Sequence, residues 1–415
     1  MKVANSTLKE PQETVSYVRS AQAIRERCAQ VFSLAKSDGL SWFSFVPERL
    51  DAVVDAVQKE TLASYPDLNV PYHSRWRHFS VGGVDREARV NEALRGLSLT
   101  ERSRAKLELA IVSVLLDAGA GSAWRYTESG SSERYGRSEG LAVASLDAFA
   151  AGLFGDEPYT VTSQGLSRLS PQRLSEAFQV SDANPLIGVD GRCSLLNRLG
   201  KVIEEKQSNF SGSPGRLGGI LEPVAALAHG NSGVHAGDLL HFVLETFSEI
   251  WPGRIALGGC NLGDVWRHSK VRGPGLTDNL IPFHKLSQWL TYSLLEPLQQ
   301  AGVAVVSLDE LTGLAEYRNG GLFVDGGVLA LKDPALREQR HQPSSELIVE
   351  WRALTVALLD EVALSLRKRL GRSELELPLA SVLQGGTWSV GRLMAAVRDP
   401  LASPPLMIES DGTVF

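Results

Sequence analysis

The stretch Ser345–Leu370, SELIVEWRALTVALLDEVALSLRKRL, decides the fold class. Leu347, Ile348, Trp351, Leu354, Leu358, Leu359, Val362 and Leu366 recur at intervals of three and four, the spacing that lines side chains along one stripe of an α-helix. Ser344 or Ser345 offers an N-cap. Arg367, Lys368 and Arg369 crowd the last turn, where positive charge complements the helix dipole.

The same spacing extends over most of the remaining chain. Pro282 opens a predicted helix through Phe283, Leu286, Trp289, Leu290 and Leu294, which Pro297 should kink or stop. Further helices are predicted near 15–36, 47–60, 100–117, 139–153, 171–180, 193–208 and 235–249. Strand signals are short: Trp42–Val46, Val303–Val306, and Leu322–Val324 with Val328–Leu331, the last two joined by Gly326-Gly327 as a hairpin turn. Gly- and Ser-rich interruptions at 119–140, 211–219, 230–237 and 258–276 are expected to be loops, because apolar periodicity resumes after each. The expected architecture is mainly α, one compact helical body over 1–400 with a small β element and a tail over 401–415. A subdivision into 1–155 and 156–400 stays open.

Composition narrows the function. Of 415 residues, 43% are hydrophobic and 22% charged, which excludes wholesale disorder and fibrous or coiled-coil-dominated architectures. Forty-two Lys and Arg face 48 Asp and Glu, and the net charge of −6 argues against duplex binding, which needs a positive surface. Cys28, Cys193 and Cys260 are far apart with no Cys-x-x-Cys pair, a pattern of reduced thiols rather than a disulfide scaffold. Met1 to Gln30 is polar and lacks the apolar core of a signal peptide. The most apolar run, Leu109–Leu116, is bracketed by Glu108 and Asp117 and falls short of the ~20 residues of a membrane span. The expectation is a cytoplasmic protein that engages neither nucleic acid nor membrane, with homo-oligomerisation open.

Several common sites are missing from the sequence. There is no Gly-x-x-x-x-Gly-Lys-Ser/Thr run, and Gly212, Gly215, Gly218 and Gly219 follow no predicted strand. Gly230-Asn231-Ser232-Gly233 is not the Gly-x-Ser-x-Gly of a nucleophile elbow. His229, His235 and His241 lie near Asp238, with Asp264 and His268 downstream, yet no His-x-x-x-His pair occurs. Surface or capping histidines are the preferred reading, and neither metal nor cofactor is expected.

Three segments carry candidate chemistry. Tyr72-His73-Ser74-Arg75-Trp76-Arg77-His78-Phe79 could cradle a phosphate with forked arginine donors and aromatic walls; equally, Trp76 could pack inward while the cations pair with surface acids. Asp117 ends an apolar helix ahead of a Gly-rich turn and two aromatics, Trp124 and Tyr126, which either wall a ligand or belong to the core. Glu316, Tyr317 and Arg318 follow an apolar stretch. A carboxylate there could stabilise a cationic transition state, or Glu316 and Arg318 could form an ordinary surface pair.

Tyr72–Phe79, Gly233–Asp238 and Leu314–Asp325 resemble a family tied to fungal and bacterial uracil catabolism, along a route that passes through ribosylurea. More distantly, the order of Ala110–Trp124, Ser138–Gly152, Leu169–Phe210, Phe283–Gln288, Leu311–Arg318 and Glu346–Leu358 is similar to that of the queuosine-salvage family, helical enzymes that cleave a nucleotide's N-glycosidic bond. That second resemblance implies a DNA-glycosylase-like helical fold. It places Glu316 where the salvage family has Asp, and Ser122-Ala123-Trp124-Arg125 where that family has a more aromatic strip, a loss that suits a leaving group as small as urea.

The resemblance implies a hydrolase that splits ribosylurea, with its 5′-phosphate the favoured form, into urea and ribose phosphate. Glu316 is the expected catalytic carboxylate and Asp117 the second candidate or water-activating base. Arg318 would orient Glu316 or hold a ribose hydroxyl, and Tyr317 would contact the substrate; Lys285, His73, Arg75, Arg77 and His78 would contact phosphate; Trp124 and Tyr126 would wall the ligand; His235 and Asp238 lie beside or within the site. Alternatives are an N-glycosidase acting on a larger base, a metal-dependent amidohydrolase, and a non-catalytic pathway partner.

Overall fold

Every residue from Leu347 to Leu359 in the helix Glu346–Leu370 is buried, so its first half is enclosed on all sides rather than along one stripe. The polar residues inside are satisfied locally. Glu350 accepts from the backbone N–H of Trp42 at 3.1 Å and of Phe43 at 2.9 Å, and the Thr355 hydroxyl donates to the Trp351 carbonyl at 2.8 Å. Ser345 is the N-cap residue, but its hydroxyl makes no capping bond. Gly371 ends the helix in the left-handed region at φ 62°, a conformation that glycine adopts without strain.

The computed structural model describes residues 10–117, 119–121, 123–230 and 232–409. Ala118, Ser122, Asn231, the start of the polar N-terminal stretch (1–9) and the end of the expected tail (410–415) lie outside the described residues. The described chain is mainly helical, as the spacing predicts, and its strands are two or three residues long, each paired with a single partner. Among the described residues no helix is long and apolar enough to cross a membrane.

Two units are distinguishable. The first comprises residues 10–73, 253–288 and 308–409. Here Ala21–Lys36 packs on Glu346–Leu370, and Tyr317–Asp325 packs on Trp388–Arg398. Glycine permits the second approach, since a Cβ at Gly391 would lie 2.3 Å from the Arg318 carbonyl oxygen; Gly320 likewise lets Tyr317–Asp325 pack on Glu346–Leu370, where a Cβ would lie 2.7 Å from the Trp351 ring.

The hairpin predicted over 322–331 does not form. Leu322, Phe323 and Val324 belong to the helix Tyr317–Asp325, and Leu329–Leu331 pairs antiparallel with Phe43–Phe45, Phe43 opposite Leu331. A short apolar run fits either period. The Glu316 side chain decides it by capping the first turn of a helix. Pro282 likewise ends a strand, Leu280–Pro282; the helix begins at Lys285 and continues through Pro297 to Gln300. The helix predicted over 15–36 is two, Pro11–Val18 and Ala21–Lys36, parted where the Ser20 hydroxyl accepts from the Ala23 N–H at 3.1 Å.

The second unit comprises Ser74–Pro252 and Trp289–Ser307. Its central helix, Leu99–Leu115, is continuously buried from Ala105 and packs on Arg137–Ala150. The buried Glu108 is held by Arg216 at 2.6 Å and by the Gly218 N–H at 2.8 Å. A hairpin pairs Arg125–Thr127 with Arg134–Gly136, and Val234–His235 runs parallel to Val305–Val306.

Candidate active site

Glu316 is the N-cap of Tyr317–Asp325. One carboxylate oxygen accepts from the Arg318 backbone N–H at 2.7 Å and the other from the Asn319 N–H at 2.6 Å. The residue is 8% exposed. Burial pushes its carboxyl above the ordinary glutamate value, against the Lys285 ammonium, the two N–H donors and the Arg318 guanidinium. An ionised carboxylate has about four acceptor positions, so two bonds leave capacity for a ligand. The result is a rigid anion at the positive end of a helix, with a cation beside it.

A second carboxylate and an arginine hold this arrangement together. Arg352 meets both oxygens of Asp264 at 2.8 Å, and its Nε donates to the Ala315 carbonyl at 3.2 Å. Asp264 also accepts from the Lys285 backbone N–H at 3.0 Å and from the Trp266 indole N–H at 2.6 Å. Arg352 therefore joins the turn that starts the Lys285 helix to the residue before Glu316. Burial alone would raise Asp264, but Arg352 and these donors hold its carboxyl well below the usual carboxylate range.

His284, next to Lys285, sits at φ 48°, an uncommon conformation for a non-glycine residue. Burial pushes its imidazole down to about 4, so it is neutral at pH 7 and donates from Nε2 to the Val18 carbonyl at 2.8 Å.

Arg318 orients Glu316 through its backbone rather than its guanidinium. Its Nη1 donates to the Ala402 carbonyl at 2.7 Å, and its charge lies 4.9 Å from the centre of the Tyr317 ring. Both Glu316 and Arg318 are buried, so they are not the surface pair that spacing alone allowed.

In the second unit, Arg75 opens the short helix Arg75–Phe79 and is fully buried. It donates to the Ser113 hydroxyl at 2.7 Å and to Ser138 at 3.1 Å, and it pairs with Asp117 at 3.2 Å. Asp117 also accepts from the Ser138 hydroxyl at 2.7 Å, and that hydroxyl lies 2.9 Å from His78 Nδ1. Arg192 clamps the loop carrying Asp117 through the Leu116 and Gly119 carbonyls at 2.9 and 3.3 Å. Arg75 and His78, predicted from one segment, and Asp117, predicted from another, are thus brought together. Among the described residues the buried Arg75 Nη2 has no hydrogen-bond partner.

Other expected contacts have different partners. His73 belongs to the first unit, bonded at 3.1 Å to Gln384 and tilted against Trp388. Arg77 pairs with Glu296 at 2.7 Å, and Trp76 turns inward to bond the Ser293 carbonyl. Trp124 is fully buried, stacked on Phe178 and bonded to its carbonyl at 2.9 Å, while Tyr126 donates to Asp147 at 3.0 Å. These two rings are core, not ligand walls, because their faces and polar tips are already engaged. His235 is the N-cap residue of Ala236–Thr246 with its ring against His229, and Asp238 forms an exposed 2.8 Å pair with His229. His268 lies in the first unit, 3.4 Å from Glu350. Among the described residues no group of three or more His, Cys, Asp and Glu is placed to hold a metal ion.

A family model described as "Protein of unknown function (DUF1688)" matches residues 17–415. The chain belongs to this family. Protein urg3 of Schizosaccharomyces pombe is 42% identical over 423 residues, covering 97% of this chain and 99% of that protein. Uracil catabolism protein 4 of Lachancea kluyveri is 36% identical over 436 residues, with coverage of 97% and 99%. These names agree with the resemblance carried by residues 72–79, 233–238 and 314–325.

Within this family member, Arg352, His284 and Ser138 escaped sequence reasoning as site residues. Arg352 falls inside an apolar helical run, where a lone cation reads as solvent-facing. Asp264 attracted notice only as a residue downstream of several histidines. The usable signal was a buried-looking helical stretch, 347–359, carrying one arginine, which requires a carboxylate partner elsewhere in the chain.

Proposed function

We propose that the protein hydrolyses the N-glycosidic bond of ribosylurea or its 5′-phosphate in uracil catabolism, giving urea and ribose or ribose 5′-phosphate. The water oxygen bonds to C1′, the C1′–N bond breaks with its electron pair on nitrogen, and the proton released by water ends on urea. Positive charge develops on the sugar as that bond breaks, and an anion fixed beside it lowers the barrier.

Glu316 carries the reading: a buried carboxylate locked by two N–H donors needs no reorganisation to meet that charge. Lys285 helps keep it ionised. Asp117 is the weaker candidate, since its charge is already matched by a direct ion pair with the buried Arg75. The name of the Lachancea kluyveri relative supports the pathway.

The test is product analysis. Pure protein is incubated with ribosylurea, its 5′-phosphate, uridine, uridine monophosphate and a queuosine nucleotide, and released urea and base are assayed. Urea from the first two supports the reading. Free base from the others instead would shift it to a nucleoside glycosidase.

A further inference from the structure

Two buried amide side chains, one on the helix that begins at Lys285 and one on the helix that Glu316 caps, each have one polar atom with no partner among the described residues. Gln288 lies one helical turn beyond Lys285, on the same face. It is fully buried and donates from Nε2 to the Thr312 hydroxyl at 2.9 Å, and its Oε1 has no partner. Asn319 donates its backbone N–H to Glu316, accepts from the Thr387 hydroxyl at 2.8 Å through Oδ1, and is also fully buried; its Nδ2 has no partner.

The Thr312 hydroxyl orients the Gln288 amide. The Thr312 hydroxyl donates to the Gly313 carbonyl at 3.3 Å, so toward Gln288 it accepts. The Thr387 hydroxyl lies 2.8 Å from the Asn319 amide oxygen and bonds it. What remains is one enclosed acceptor and one enclosed donor, associated with the turns that carry Lys285 and Glu316. A buried polar atom without a partner is costly, and such atoms are few in native proteins. A ligand that supplies both partners removes both penalties.

We propose that Gln288 and Asn319 read the ureido group of the substrate, Gln288 Oε1 accepting one of its N–H bonds and Asn319 Nδ2 donating to its carbonyl oxygen. This rests on the ribosylurea reading above and names the residues that give it specificity. A urea head has both features on adjacent atoms. Ribose has neither an N–H nor a carbonyl at that position.

The test uses the full chain carrying Glu316→Gln, to prevent turnover, with calorimetric binding of ribosylurea and competition by ribose. Adding Gln288→Met or Asn319→Ala should weaken ribosylurea about tenfold to a hundredfold each, with ribose binding unchanged. Gln288→Asn, which withdraws the amide by one methylene, provides the same test if Gln288→Met does not fold. Unchanged ribosylurea affinity in these folded variants overturns the inference and leaves the hydrolase reading standing. No ribosylurea binding by Glu316→Gln, together with no urea released by the wild-type protein, overturns both.

Discussion

Arg352 and Asp264 form a two-pronged ion pair, both N–O distances 2.8 Å, in which the arginine is 1% exposed. The same guanidinium bonds the carbonyl that precedes Glu316, and the same carboxylate caps the turn that begins at Lys285. Lysine cannot reproduce three bonds from one planar group. Arg352→Lys should fold yet lose about tenfold to a hundredfold in kcat with little change in KM. Arg352→Met should destabilise by about 3–5 kcal/mol, because it strands a carboxylate in a largely buried site. Steady-state kinetics and urea denaturation check the two parts; wild-type kcat in Arg352→Lys would contradict the positioning role.

The enclosed pair of Arg75 and Asp117 lends itself to a double-mutant cycle. Asp117→Ala leaves the fully buried Arg75 without its counter-ion and should lose about 3–5 kcal/mol. Arg75→Met alone should also destabilise. The double variant should be more stable than the sum of the single losses implies, by at least about 1 kcal/mol. Strict additivity in urea denaturation would show that the two charges do not depend on each other.

How much of this was legible in the sequence depended on how local the information was. The helix 346–370 was visible because its apolar spacing lies within one segment. The helix 317–325 was not, because Leu322-Phe323-Val324 fits either period and Gly320-Gly321 reads as a turn; Gly320 serves close packing against Trp351. Glu316 could be singled out as a carboxylate after an apolar run. Its supports could not, since Asp264, Lys285 and Arg352 come from three distant segments. Trp124 and Tyr126 were ambiguous for a different reason: an aromatic beside a Gly-rich loop has the same composition whether it faces core or ligand.

His284 gives a pH prediction with a defined sign. Its folded value of about 4 lies below the ordinary 6.5, so the unfolded chain binds the proton more readily. Its contribution is full above the unfolded value and is lost as pH falls through the folded one. The gap corresponds to about 3 kcal/mol. Asparagine tolerates positive φ, so His284→Asn should fold and show a shallower loss of stability from pH 6.5 to 4 than the wild type. Parallel stability curves for the two proteins would contradict the assignment.

Glu316 has the opposite sign. Its carboxyl is raised, so its contribution to stability is full below the unfolded value and is lost as pH rises through the folded one. Activity needs the anion and should rise over the same interval. The acid limb of kcat should therefore lie above the ordinary glutamate value. An acid limb at or below that value would argue against Glu316 as the titrating group.

The most direct test of the central claim is the rate of urea release from ribosylurea by folded Glu316→Gln. The variant keeps the side-chain shape and removes the charge. A fall of about 10²–10³ in kcat is expected for a lost charge stabiliser. Urea release at the wild-type rate would contradict the account.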